Sequence, residues 1–233
     1  MKVEVCLTPA LIEQHDLNGK IAVVVDIFRA TSCMVTGLSC DVSAIYPVAT
    51  VDECLALGAK GMIMAGERGG QKIEAFDIGN SPFDYQSALV KDRDVAVSTT
   101  NGTLAISKSG DADEVLIGAF LNMAATVKYL KEKDQDITVH CAGWKGTPNL
   151  EDTLYAGALI HELGEVEMIN DSAFIALSLY HQHKDDLEGA GKASAHAKRL
   201  AGFGITEDIS FCMQQDVYDT VIYQEGEKLI KKS

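Results

Sequence analysis

The chain has 233 residues, 47% of them hydrophobic, and a formal net charge of −14 at pH 7, which is enough apolar material for a real core without cross-links. The charge excludes nucleic acid, whose binding depends on Lys and Arg neutralising phosphates, and no run approaches the roughly 18 apolar residues of a membrane span. Six cysteines without a Cys-x-x-Cys pair exclude a zinc site of that type and a disulfide framework, and point to a reduced, cytoplasmic protein.

In chain order, short apolar runs at residues 3–7, 21–25, 44–48, 61–65, 95–98, 115–119 and 137–141 read as strands, most of them followed by helix-compatible sequence. A helix is expected over 32–39. Thr50 and Glu53 form a capping box for a helix over 51–58, Ser81-Pro82 offers an N-cap and a first-turn Pro, and Asn149 stands where it can cap a helix over 150–163. Alternation of this kind predicts βαβ units, hence an α/β fold with a mostly parallel or mixed sheet covered on both faces. After residue 169 the strand signal fades, and 172–183, 186–201 and 207–214 read as helices before a Lys-rich tail. The chain is read as one compact unit over 1–233, with two intimately packed subdomains, about 1–115 and 116–233, as the alternative organisation. A homodimer is the base-rate expectation.

Four of the strands end in clusters that mix acids, glycines and hydroxyls. The first is Val25-Asp-Ile-Phe-Arg-Ala-Thr-Ser32, placing Asp26, Arg29, Thr31 and Ser32 at a strand end, where ligands bind in open α/β sheets. Asp26 suits a metal ligand or nucleophile, or else an N-cap. The second runs from Gly66-Glu-Arg-Gly69 to Phe76-Asp-Ile-Gly-Asn-Ser-Pro82 and offers Glu67, Arg68, Asp77, Asn80 and Ser81; the third is Ser98-Thr-Thr-Asn-Gly-Thr103. The fourth is Cys141-Ala-Gly-Trp-Lys-Gly-Thr147, with Gly143 and Lys145, leading to Glu151-Asp152. Acids bind a hard cation, while glycine amides, hydroxyls and Asn offer donors to a phosphate-like anion. Solvated turns and helix caps are the competing account of each cluster. On an acidic chain, anion-binding cations must be gathered locally, which singles out Arg29, Arg68, Lys72 and Lys145.

Several chemistries are excluded. A haloacid-dehalogenase-type phosphatase needs Asp-x-Asp, and Phe28 stands two places after Asp26; a tyrosine-phosphatase loop needs Arg six places after Cys141, and Thr147 stands there. No Gly-x-x-x-x-Gly-Lys-[Ser/Thr] loop and no Gly-x-Ser-x-Gly elbow occurs.

Taken together, the four motifs, in this order and spacing, resemble the 2-phosphosulfolactate phosphatase family. The likeness runs from Lys2 to about Asp219 and includes Ser194-Ala-His196 and Asp208-Ile-Ser-Phe-Cys212. It implies a three-layer α/β/α fold with two related halves. It also implies a Mg²⁺-dependent acid phosphatase that converts 2-phospho-3-sulfolactate to 3-sulfolactate and phosphate, a step of coenzyme M biosynthesis. Within this reading Asp26, Arg29, Glu67 and Arg68 are the expected catalytic groups. Mg²⁺ falls to carboxylates among Asp26, Glu67, Asp77, Glu151 and Asp152. Substrate contacts are expected from Thr31, Ser32, Asn80, Ser81, Thr99, Thr100, Asn101, Gly102, Thr103, Gly143 and Lys145. A hydrolase of another small phosphorylated acid and a non-catalytic binding protein for an anionic metabolite are the alternatives.

Overall fold

The computed structural model describes residues 1–232. Its first strands are β1 (Lys2–Cys6) and β2 (Lys20–Val25), followed by α1 (Ala30–Ser39), β3 (Ala44–Pro47), α2 (Val51–Gly58), β4 (Ile63–Arg68), β5 (Gln71–Lys72) and β6 (Asp94–Ser98). Then come α3 (Gly102–Ser107), β7 (Glu114–Gly118), α4 (Met123–Lys133), β8 (Asp136–Cys141), α5 (Leu150–Leu163), β9 (Glu167–Met168) and α6 (Asp171–His183). The chain continues through α7 (Leu187–Ala193), α8 (Ala195–Ala201), α9 (Glu207–Cys212), β10 (Ile222–Glu225) and β11 (Lys228–Lys231).

All described strands join one sheet in the order β5-β4-β6-β3-β11-β10-β7-β2-β8-β1-β9. Strands β7, β2, β8, β1 and β9 are mutually parallel, as are β4, β6 and β3. Between these groups lies the β10–β11 hairpin, antiparallel to β7 on one side and to β3 on the other. The α/β class is as expected, but the Lys-rich tail is no appendage. Ile222 and Leu229 are fully buried, and the hairpin turns at Gly226, whose φ of 60° lies in the left-handed region that glycine adopts freely.

Period-two burial explains the layers. On one face Val3, Val5, Ile21, Val23, Val25, Leu116 and Val139 pack against α4, α5 and α6. On the other, Ala22, Val24, Val115, Ile117, Ile45, Val95 and Val97 surround Met34, Val35 and Leu38 of α1. Strands covered on both faces read as continuous apolar runs, which is why residues 21–25 were legible as β2. Among the described residues no helix is long and apolar enough to cross a membrane, and all six cysteines are free thiols.

Local signals held where their caps formed. Glu53 N–H donates to Thr50 Oγ1 and Thr50 N–H to Glu53 Oε2, closing the capping box of α2. The helix expected from Ser81-Pro82 is only a single turn, Asp84–Gln86, because Ser87 already has extended backbone. The single helix expected over 186–201 is two, because Ser194 is extended and its Oγ accepts the Ala197 N–H at 3.0 Å, starting a new helix. Asn149 makes no side-chain cap on α5.

Strands five places apart in the sheet order are not far apart in space here. In a flat sheet the five spacings from β2 to β6 would place them about 24 Å apart, yet a Cβ on Gly102, just after β6, would stand 2.9 Å from Asp26 Oδ2, just after β2. The sheet therefore curls, and the hairpin at its middle brings the ends of β2, β4 and β6 to one place.

Candidate active site

Asp26 follows β2 and is held by its own turn. Its N–H donates to Thr31 Oγ1 at 2.9 Å, its carbonyl accepts the Thr31 N–H at 3.0 Å, and Oδ1 takes the Ala30 N–H at 3.4 Å. The next residue is pinned from the far side of the cleft: Ile27 N–H donates to Asp152 Oδ1 at 2.9 Å, while Gly143 N–H donates to Asp152 Oδ2 at 3.0 Å. Asp152 thereby staples the end of β2 to the end of β8. Gly143 has φ 55°, and a Cβ there would come within 2.4 Å of the Thr147 carbonyl oxygen, so this turn requires glycine.

Glu67, at the end of β4, organises two loops. Its Oε1 accepts from Thr100 N–H at 2.9 Å and Thr100 Oγ1 at 2.8 Å, and its Oε2 accepts the Gly70 N–H. Arg29 pairs through Nη1 with Asp208 and donates from Nη2 to the Gly70 carbonyl at 3.2 Å. Two of its five N–H donors are thus committed.

The fourth wall comes from α5 and α8. Glu151 is fully buried; His196 Nδ1 lies 2.7 Å from its Oε1, while Oε2 has no hydrogen-bond partner. Asn149 Nδ2 stands 3.4 Å from the same His196 nitrogen. Ser194, by capping α8, sets where His196 and Arg199 fall. Arg199 stacks 4.1 Å over the Trp144 ring.

The cleft is lined by Asp26, Phe28, Arg29, Glu67, Gly69, Gly70, Asn80, Thr100, Asn101, Trp144, His196, Arg199 and Leu200 and is partly open to solvent. Burial pushes the Asp26 carboxyl up to about 6; His196 opposes the shift, while Glu67 and Glu151 add to it. Burial likewise pushes Asp152 well above the usual carboxylate range, with Glu151 and Asp26 adding to it.

Of the residues the sequence singles out, Asp26, Arg29, Glu67, Asn80, Thr100 and Asn101 line this cleft. Others serve the scaffold. Thr31 and Ser32 are fully buried, their hydroxyls bonded to Asp26 N–H and to the Ile27 carbonyl. Thr99 and Thr103 bond to each other across the first turn of α3, and Ser81 Oγ accepts the Phe83 N–H. Gly102 lies against Asp26, where only a hydrogen fits. The Arg68 guanidinium braces β4 to β6 through the Glu67 and Ser98 carbonyls and Ser98 Oγ. Asp77 is exposed and accepts the Met64 N–H at 2.8 Å. Lys145 lies over the Trp144 ring at 4.8 Å and is exposed.

Phe28, Trp144, His196, Arg199 and Leu200 line the cleft without having been singled out as site residues. For His196 the short motif Ser194-Ala-His196 was a signal. For Arg199 none existed, and for Trp144 only its place inside the fourth cluster, since their meeting depends on how α8 folds back over the sheet.

Among the described residues no three His, Cys, Asp or Glu are placed to hold a metal ion by themselves. Oxygens left for a hard cation include those of Asp26, Asn80 Oδ1 and, on the fourth wall, Glu151 Oε2, the last two buried without a partner. Mg²⁺ typically takes one or two protein carboxylates and completes its shell with water and substrate oxygens, and this donor set fits that habit.

The 2-phosphosulpholactate phosphatase family profile matches residues 6–227. The chain is 40% identical over 219 residues to a protein of Thermotoga maritima, covering 94% of this chain and 93% of the relative. It is 37% identical over 243 aligned positions to one of Trichormus variabilis, covering 99% of each, and 36% identical over 216 to one of Caldanaerobacter subterraneus, covering 90% of each. All three relatives are named probable 2-phosphosulfolactate phosphatases. With nearly its whole length matched, and with the four motif clusters gathered as described, the chain belongs to the 2-phosphosulfolactate phosphatase family, a family of phosphoric monoester hydrolases.

Proposed function

We propose that the protein is a Mg²⁺-dependent phosphatase that hydrolyses 2-phospho-3-sulfolactate to 3-sulfolactate and inorganic phosphate. The observation that carries this reading is that Asp26, its carboxyl raised to about 6 chiefly by burial and further by Glu67 and Glu151, stands in the same cleft as Arg29. Like charges collected in a buried place call for a cation, and an arginine beside them suits an anion that bridges to it.

Asp26 and Asn80 would hold the Mg²⁺, which when bound would supply charge neutralisation for the phosphoryl oxygens. Arg29, fixed by Asp208 and Gly70, keeps three N–H donors for the phosphoryl group. Glu67 does not face the substrate with a free oxygen; it holds Thr100 and Gly70 so that the two loops stay together. His196 gives its Nδ1 side to Glu151, which leaves Nε2 as the edge that can hand a proton to the departing alkoxide. The Phe28, Trp144 and Leu200 side chains exclude water from around these groups.

The test is phosphate release from synthetic 2-phospho-3-sulfolactate, with Mg²⁺ and with excess EDTA, on the wild type and on Asp26→Asn. Release that needs the metal and disappears with the substitution is expected. Release that survives EDTA would remove the metal from the reading, and none under any condition would redirect it to another phosphorylated acid.

A further inference from the structure

We propose that Arg199, stacked on Trp144, is the clamp for a second acidic group of the substrate, and that it makes the cleft select phosphate esters that also carry a carboxylate or sulfonate. The proposal rests on the phosphatase reading and names a specificity residue for it.

The other arginines near the cleft, and Lys72, are already engaged. Arg29 is paired with Asp208 and bonded to Gly70; Arg68 is spent on the backbone carbonyls of Glu67 and Ser98; Lys72 donates to the Asp77 carbonyl at 3.1 Å. Lys145 is exposed on Trp144. Arg199 alone among the described cleft-lining cations makes neither an ion pair nor a hydrogen bond, and its Nε is buried without a partner. It is nevertheless fixed, because its guanidinium carbon lies 4.1 Å from the Trp144 ring centroid. Stacking uses the flat face of a guanidinium and leaves every N–H on its edge free. A group that is oriented but uncommitted, beside the phosphoryl site, has the geometry of a receptor for an anion.

Charge points the same way. The chain carries −14 overall, and Asp26, Glu67 and Glu151 all act on Arg199, so a second acidic group entering this cleft is repelled unless a cation meets it locally. Arg29, just after β2, and Arg199, on α8, approach the cleft from different elements. Two arginines so placed can hold two anionic ends of one small molecule.

Trp144 is the single tryptophan of the chain, so its fluorescence reports the stack itself. Titration of 3-sulfolactate, which has a carboxylate and a sulfonate but no phosphate, into the Mg²⁺-loaded full chain is expected to change Trp144 emission saturably. Arg199→Gln should raise the dissociation constant at least tenfold, and Arg199→Lys, which keeps the charge but loses the planar fork, should recover part of it. Steady-state kinetics on 2-phospho-3-sulfolactate and on isopropyl phosphate should show a loss in Arg199→Gln at least tenfold larger for the acid-bearing ester, carried by KM. No emission change in the wild type, equal dissociation constants in wild type and Arg199→Gln, or equal losses on the two esters would each overturn the clamp. Turnover is read separately: Arg199-dependent binding of 3-sulfolactate by a wild type that releases no phosphate would retire the phosphatase reading and keep the clamp.

Discussion

The two ends of β2 hold two buried polar clusters built on opposite plans. At its start, Glu4 is surrounded by partners: Lys20 Nζ and Thr138 Oγ1 each at 2.7 Å from Oε1, and His15 Nδ1 at 3.1 Å from Oε2. Burial alone would raise the Glu4 carboxyl, but the hydrogen bonds from His15, Lys20 and Thr138 outweigh it and hold it down at about 2. At the other end, Asp26 is buried among acids and sits at about 6, and the Oε2 of nearby Glu151 has no partner at all. The first cluster uses up its charges on itself. The second withholds them, and that difference distinguishes a structural network from a site better than burial does, since both are buried.

The largest effect expected from this contrast comes from exchanging the acids for amides. Asp26→Asn should cut phosphate release by about 10³-fold or more, as loss of a group acting on the reacting phosphoryl does. The same substitution should raise stability at pH 7.5 by about 1–2 kcal/mol, because a folded carboxyl pKa above the unfolded one costs stability wherever the group is ionised. Glu4→Gln should do the reverse, lowering stability by about 2–3 kcal/mol by leaving Lys20 and His15 without their partner, with turnover per folded molecule retained. Urea unfolding and phosphate release on the two variants check both; destabilisation by Asp26→Asn would erase the contrast.

A smaller test leaves every charge in place. Gly102→Ala would put a Cβ 2.5 Å from Ala30 Cβ and 2.9 Å from Asp26 Oδ2, so the carboxylate or α3 must shift. A loss of about 10- to 100-fold in kcat is expected, since misplacement by about 1 Å costs roughly that much, with a stability loss of about 1–3 kcal/mol from overpacking. Full activity in this variant would show that α3 gives way rather than Asp26.

Acidity separates the clusters more gently. His15 is raised to about 9 from its ordinary 6.5 by Cys6 and Glu4 beside it, so its contribution is present below about pH 6.5 and is lost as pH rises toward 9. Burial pushes His140 down to about 3, with His15 and Lys108 adding to the shift; its neutral form is favoured, so stability falls as pH drops from about 6.5 toward 3. Protonation of Asp26 below about pH 6 offsets the His140 loss, so the trend that stands out is alkaline: stability should decline by about 1–2 kcal/mol between about pH 6.5 and 8.5, measurable by urea unfolding across pH. His15→Gln should flatten the alkaline limb only.

The smallest effect concerns the cap that aims the fourth wall. Ser194→Ala should cost about 1 kcal/mol by removing the α8 cap and should lower activity by a few-fold through His196 and Arg199, both on the capped helix. A thermal melt and a rate on the same sample separate the two.

Much of this was legible in advance. Apolar runs announced β2, β7 and β8 because strands buried on both faces tolerate few polar residues, and the capping box at Thr50 announced α2. The convergence of Asp26, Glu67, Asn80 and Thr100 was legible from the shared pattern of a strand followed by glycine and polar residues. What could not be read was which polar groups are spent: Thr31, Ser32 and Arg68 have the right chemistry, but their bonds go to neighbouring backbone. Arg199 carried no signal, and Trp144 only its place in the fourth cluster, because their contact spans 55 residues and depends on tertiary packing. The β10–β11 hairpin was hidden because its strands are only four residues long and rich in Glu and Lys, with one inward residue each, Ile222 and Leu229, fully buried.

That hairpin sets an order of events during synthesis. Strands β3, β6 and β4 are made early and can pair among themselves, as can β7, β2 and β8, but the two groups have no shared edge until residues 222–231 arrive. Until then each group shows an open strand edge of the kind that invites unwanted pairing. The backbone ladder that joins the two groups is therefore completed only when the last strands have been made, long after the helices that first pack them together.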